Sequence, residues 1–227
     1  VPSEKKTNDW AVNVKDTSFM INEKSGKKVL KINAASPDED TIRYAAGFLS
    51  NGALVAFPTE TVYGIGANFL NKKAMQRLRR IKQRPPDKPF TVHISDIGMI
   101  KRMRCEITDF AGTLIKEFWP GPLTIILRSK KNSLGFRMPE NRIAMALIAE
   151  SAVPVAAPSA NFSGENPPVE AGKIPAALAE KLDLVLDGGR TRLGVESTVV
   201  DVTDSPYRIL REGAISRLDI ERIAYAG

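Results

Sequence analysis

The chain predicts an α/β fold: one sheet, partly parallel and partly hairpin-connected toward the C-terminus, with helices packed on it. Three observations point there. Strand-sized apolar runs alternate with segments of helical periodicity along most of the length. One of those runs, 53–57, is continuous and apolar, the pattern of a strand covered on both faces. Finally, 227 residues with 43% hydrophobic and 26% charged side chains can bury a sizeable core in one large domain.

Taken in order, residues 29–32 alternate like a short strand. Ser36, Pro37 and Glu39 then offer an N-cap, a proline at the first helical position and a capping-box glutamate. Ile42, Ala45, Ala46 and Leu49 share one helical face, and Asn51-Gly52 is the stop. The strand 53–57 breaks at Pro58 into a polar loop over 59–64. Met75, Leu78 and Ile81 predict a helix over 72–82, which Pro85, Pro86 and Pro89 end before a strand at 90–94. Thr108 caps a helix through Phe118, and Trp119-Pro120-Gly121-Pro122 turns the chain into a strand at 123–128. A strand at 134–138, a helix from Asn141 to about 152 and a short buried strand at 154–158 follow. Beyond the turn-rich loop 159–168 come a helix at 171–182, strands at 184–186, 195–202 and 207–210, and a closing helix at 216–224. Polar loops recur at strand ends, where α/β folds bind ligands.

Composition narrows the chemistry. One cysteine, Cys105, and one histidine, His93, exclude Cys- and His-built zinc sites, CxxC redox chemistry and HExxH proteolysis, so no metal-ligand set is predicted. No stretch approaches the roughly 18 apolar residues of a membrane span, and no membrane association is expected. Residues 1–28 mix six lysines with four acids and carry no apolar signal region, so they are expected to form an N-terminal extension of unknown role ahead of one catalytic domain at 29–227. Cytoplasm is the expected compartment. The net charge of +7 is locally concentrated: Lys72, Lys73, Arg77, Arg79, Arg80, Lys82 and Arg84 fall together without an intervening acid. Such a run attracts phosphates, although a solvated helix face has the same composition.

The P-loop, the strand-GxGxxG-helix unit and the GxSxG elbow are all missing. Instead Lys82 and Arg84 follow a helix, and a proline-stiffened loop carries Lys88, so two or three cations can be presented to a triphosphate. Ser159 and Asn161, after a buried strand, supply a hydroxyl and an amide two residues apart; alone they read equally as a turn.

In sequence order the chain carries FPTETVYGIGAN from Phe57, KQRPPDKPFTVHI from Lys82, WPGPLTIIL from Trp119, FRMPEN from Phe136, PVAAPSANFSG from Pro154, DGG from Asp187, GVESTVVDVT from Gly194 and ILREGAIS from Ile209. Together these segments resemble the YrdC-like threonylcarbamoyl-AMP synthases in their single-domain form, from about Val29 onward. The resemblance implies an open, twisted sheet with a basic concave face. It also implies ATP, L-threonine and bicarbonate as substrates, with threonylcarbamoyl-AMP and pyrophosphate as products, for the threonylcarbamoyl modification of tRNA adenosine. The implied catalytic set, from the family's Lys-x-Arg and Ser-x-Asn signature, is Lys82, Arg84, Ser159 and Asn161. The implied ATP set is Lys82, Arg84, Lys88, Asn161 and Arg211, with Ser133 in a less well matched stretch; the threonine set is Thr61, His93, Arg137, Ser159 and Ser197. Any Mg²⁺ is expected on the ATP phosphates. A downstream tRNA threonylcarbamoyl transferase is the implied partner.

Three features depart from the family pattern or limit the match. Val169 stands where members often have Thr or Ser, the match ends without the C-terminal domain of longer members, and the first 28 or so residues match nothing. Lys82 is expected to be an exposed loop cation whose loss leaves the fold intact. The alternative from another class is a non-catalytic, basic RNA-binding module, with weak tRNA contact through phosphates. With aromatics at 7% it would lack a stacking platform. Hydrogenase-maturation carbamoyltransferases contain a similar domain, but they carry cysteine-rich zinc modules that one cysteine cannot build. A relative that binds ATP without turnover is opposed by the intact signature.

Overall fold

Among the described residues eleven strands form a single mixed sheet in the order β1-β2-β9-β3-β4-β8-β5-β7-β6-β10-β11. The computed structural model describes residues 21–22, 27–85, 88–130 and 132–225. The strands are β1 Ile21–Asn22, β2 Lys27–Lys31, β3 Val55–Pro58, β4 Tyr63–Asn68, β5 Val92–His93, β6 Leu123–Arg128, β7 Ser133–Arg137, β8 Val155–Ala156, β9 Leu184–Asp187, β10 Thr198–Asp201 and β11 Arg208–Arg211. The helices are α1 Glu39–Ser50, α2 Lys72–Ile81, α3 Gly98–Arg102, α4 Asp109–Phe118, α5 Arg142–Ser151, α6 Ala176–Ala179 and α7 Arg217–Tyr225. Parallel pairing joins β2 to β9, β9 to β3, β5 to β7 and β6 to β10, and the other neighbours run antiparallel. β1 and the start of β2 fall inside the stretch expected to be an extension; the rest of that expectation lies outside the described residues.

Local signals place most elements, and the departures have identifiable causes. Asp38, not Ser36, caps α1: its Oδ1 accepts from the Thr41 N–H at 2.8 Å and the Thr41 hydroxyl at 2.7 Å, which leaves Pro37 ahead of the helix. The loop expected at 59–64 is a tight turn, after which the chain returns antiparallel to β3 as β4, pairing Phe57 with Gly64 and Val55 with Gly66. Glycines in YGIGAN lower strand propensity and hid this fully buried strand. The helix expected over 171–182 is a 3-10 turn at Ala171–Lys173 and the short α6, because Pro175 offers no N–H and pushes Ile174 into the extended region. α3 carried no cap signal, and its N-cap Ile97 makes no side-chain bond.

The two sheet faces are covered unequally. On one face α1, α3, α4, α5 and α7 press Leu49, Ile100, Leu114, Leu147 and Ile220 against Phe57, Val92, Ile125, Phe136, Leu186 and Val200, a core spanning nearly the whole sheet. On the other face α2 and α6 bring Leu78, Ile81 and Leu178 over β3, β4, β8 and β9. No residue of β5, β6, β7, β10 or β11 belongs to that second cluster among the described residues. Strand alternation places His93, Thr124 and Arg137 on this uncovered half of the sheet. Ser197 immediately precedes β10, and a register shift at Val199/Val200 pairs Arg211 with Val199 on that face although Ile209 packs on the other.

Candidate active site

A cavity opens where the uncovered half-sheet meets the edge of the covered half, between the Thr59–Tyr63 turn, Arg84, the Pro158-Ser159 loop and the Glu196-Ser197 rim. Its floor carries His93, Thr124 and Arg137. The Thr59–Thr61 turn is held by a directed hydrogen-bond chain. Arg137 Nη2 can only donate, and it does so to Thr61 Oγ1 at 2.9 Å. Thr59 donates its one hydroxyl hydrogen to the Val62 carbonyl at 2.8 Å, so in the 2.8 Å pair between the two threonines the Thr61 hydroxyl donates to Thr59 Oγ1. Arg137 Nε also donates to the Gly121 carbonyl at 3.3 Å, and Nη2 lies 2.7 Å from Glu60 Oε1.

Lys82 stands at the C-cap of α2. Gln83 follows at φ 49°, with the Arg84 N–H bonded to the Arg79 carbonyl and the Gln83 N–H to the Arg80 carbonyl, which is the Schellman pattern with a non-glycine residue in the left-handed position. Lys82 is only 4% exposed, contrary to the expected loop cation. Its Nζ donates to the Ser159 carbonyl at 2.6 Å and to the Asn161 carbonyl, with Asn161 Oδ1 at 3.4 Å. The ammonium thus joins the Lys-x-Arg arm to the Ser-x-Asn loop through backbone oxygens. Burial, reinforced by Arg84, pushes Lys82 down to about 8 against the partial opposition of Glu196 and Glu165.

The Ser-x-Asn loop is also tied to β4: Ile65 N–H donates to the Pro158 carbonyl and Ala160 N–H to the Tyr63 carbonyl, both at 2.8 Å. Ser159 lines the cavity, whereas Asn161 is buried beside it with Nδ2 on the Glu165 carbonyl at 2.6 Å. Arg84 reaches the cavity by stacking on Phe90, 4.9 Å from the ring centroid, and by donating to the Lys88 and Pro89 carbonyls at 3.2 and 2.6 Å. Burial, with Arg79 and Arg211 nearby, lowers the Arg84 pKa.

The opposite rim belongs to Arg211 and Ser197. Arg211 Nη1 pairs with Glu196 Oε1 at 2.9 Å, and its Nε and Nη2 donate to the Ser197 carbonyl at 3.1 and 2.9 Å. Ser197 Oγ lies 2.9 Å from Thr124 Oγ1. Thr198, one residue on, turns to the core, where its hydroxyl donates to the Ile215 carbonyl and accepts from the Gly213 and Ile215 N–H groups. His93 is 3% exposed; burial, then the Arg137 charge, drives its pKa well below the ordinary 6.5, and Nδ1 has no partner among the described residues. Burial thus favours the neutral imidazole, whose ring lines the cavity while its Nδ1 is buried.

Of the candidate residues, Thr61, His93, Arg84, Arg137, Ser159, Ser197 and Arg211 line this one cavity, and Lys82 and Asn161 lie just behind its wall. Ser133 shares the β7 face with Arg137 but is exposed at the far end of the strand, roughly 13 Å away at strand rise. Lys88 is exposed, with its carbonyl holding Arg84. The basic run divides: Arg77 pairs with Asp183, Arg79 ties the Pro85–Lys88 loop, and Lys72, Lys73 and Arg80 face solvent. Sequence reasoning missed Glu60 and Glu196; the flanking threonines and the adjacent Ser197 were the available signal.

A mixed sheet with one half uncovered among the described residues, and a cavity there lined by Arg84, Arg137 and Arg211, defines an α/β protein with a basic concave site. Residues 47–213 match the Sua5/YciO/YrdC family model, whose description reads "Telomere recombination". The chain belongs to that family. It is 43% identical to a threonylcarbamoyl-AMP synthase of Pyrococcus abyssi over 196 residues, covering 82% of this chain and 58% of that relative. It is 41% identical to the enzyme of the same name from Bacillus subtilis, covering 83% and 58%. The chain thus spans somewhat over half the length of these two relatives. The crystal structure of P. abyssi Sua5 complexed with L-threonine superposes with a TM-score of 0.82 at 41% identity, covering 86% of this chain and 60% of that one. No helix among the described residues is long and apolar enough to cross a membrane.

Proposed function

We propose that this chain condenses L-threonine, bicarbonate and ATP into threonylcarbamoyl-AMP and pyrophosphate, and that a downstream transferase passes the group to tRNA adenosine. The observation that carries the reading is the single cavity into which the Lys82-Arg84 arm, the Ser159-Asn161 loop and Arg137 converge. The relatives' name favours it over an RNA-binding module.

In this reading the threonine amine and bicarbonate give an N-carboxylate with loss of water, and the carboxylate oxygen attacks the α-phosphorus and displaces pyrophosphate. Such a transfer depends on positioning and on neutralising charge along the phosphates. Arg84 and Arg211 face the triphosphate, with Lys88 and Ser133 as outer contacts. Lys82 holds the Ser159-Asn161 loop in place and adds its charge from behind. Arg137 receives the threonine carboxylate, while Thr61, His93, Ser159 and Ser197 surround the rest of the amino acid. Any Mg²⁺ would be held by the ATP phosphates and would neutralise their charge. Among the described residues no three His, Cys, Asp or Glu side chains converge, and the carboxylate lining the cavity, Glu196, is engaged with Arg211.

The test is pyrophosphate release from ATP with threonine and bicarbonate each present or omitted, together with mass detection of the adenylate. Release requiring both, with serine a poor substitute, is expected. ATP binding without that dependence would overturn the reading.

A further inference from the structure

Beneath the cavity floor lies a buried ion pair in which Glu60 is 1% and Arg137 5% exposed at the side chain. Apart from Arg137, the Glu60 carboxylate has no hydrogen-bond partner among the described residues, and it does not line the cavity. A buried pair of this kind is poor value for stability alone, because desolvation cancels most of the attraction and an apolar pair of similar volume serves as well. Its geometry is informative instead. Arg137 is clamped by Glu60 at 2.7 Å, Thr61 Oγ1 at 2.9 Å and the Gly121 carbonyl at 3.3 Å, so that a guanidinium with several rotatable bonds is confined to one orientation at the floor.

The turn bearing Glu60 is itself anchored. Its own carbonyl accepts the Leu193 N–H at 2.8 Å, and the Thr61 carbonyl accepts the Gly194 N–H at 3.0 Å. Glu60 is therefore a rigid support and Arg137 the group it supports.

We propose that Glu60 is a positioning residue which fixes Arg137 for the carboxylate of the amino-acid substrate; this rests on the assignment of Arg137 in the function proposed above. A merely structural role would lower the folded fraction and with it the apparent kcat. Positioning instead acts on amino-acid affinity.

The test is a double-mutant cycle of Glu60→Gln, Arg137→Gln and the double variant, with KM for threonine, KM for ATP, kcat and melting temperature measured for each. Glu60→Gln is expected to raise KM for threonine about tenfold or more and to leave kcat and KM for ATP within about threefold. In the Arg137→Gln background it should add nothing, because its target is gone. An unchanged KM for threonine, a lower kcat at constant KM, or effects that multiply in the double variant would each overturn the proposal. If Glu60→Gln leaves too little folded protein, Glu60→Asp, which keeps the charge but not the reach, is read in the same way. Calorimetric threonine binding to wild type and Glu60→Gln separates this inference from the function. Wild type that binds threonine without releasing pyrophosphate would sink the synthase reading, while equal affinities in the two proteins would sink the role of Glu60.

Discussion

At the residue scale, Lys82 changes character most between sequence and structure. All of its donors point to the Ser159-Asn161 loop, and it titrates near 8 instead of its ordinary 10.5 because burial disfavours the charge. The ammonium holds the loop, so kcat/KM for ATP should fall as pH rises through about 8. A profile flat to pH ~9.5 would contradict the role. Stability moves the other way. The unfolded lysine keeps its proton up to about 10.5 while the folded one releases it near 8, so between these values the unfolded state binds more protons and Lys82's contribution to stability rises with pH. Activity lost in that window is thus loop geometry and not unfolding through Lys82, and thermal melts alongside the kinetics distinguish the two.

At the element scale, the β10–β11 hairpin and the segment after it place Arg211, and Thr198 is their fastening. Its hydroxyl serves the Ile215 carbonyl at 2.5 Å and the N–H groups of Gly213 and Ile215 at 2.9 and 3.0 Å. Gly213 passes so close that a Cβ would stand 2.2 Å from the Glu196 carbonyl oxygen. Thr198→Val keeps the shape but strands these buried polar groups, a loss of about 2–3 kcal/mol readable by urea unfolding. KM for ATP should rise with it, whereas Thr198→Ser, which keeps the hydroxyl and loses one buried methyl, should cost only about 1 kcal/mol. The stretch 195–202 reads as one strand from its β-branched residues. Only pairing with β6 shows that the strand begins at Thr198 and leaves Glu196 and Ser197 at the rim.

At the scale of the whole molecule, few of the cations behind the net charge of +7 reach the cavity: Arg84, Arg211 and the buried, paired Arg137 line it, with Lys82 behind. Raising salt from about 0.1 M to about 1 M shortens the screening length from about 10 to about 3 Å. KM for ATP is expected to rise several-fold over that range, and KM for threonine to move much less, because Arg137 is buried and already paired. Equal salt sensitivity of the two would mean that the triphosphate and amino-acid ends of the cavity are not separated as described.

The sequence by itself determined the α/β class, the caps at Thr108 and Asn141, the stop at Asn51-Gly52 and the family, because these depend on neighbours a few residues apart or on motifs readable in order. Tertiary structure alone decided that the turn after Pro58 leads straight into β4, that among the described residues one half-sheet is left uncovered, that Lys82 is buried against a loop 77–79 residues away, and that Glu60 meets Arg137. The physical reason is common to all four. Whether a polar side chain is solvated, paired or left to face a ligand depends on which sheet face is covered and on which distant backbone lies against it, and neither is encoded within the reach of a turn of helix or a pair of strand residues.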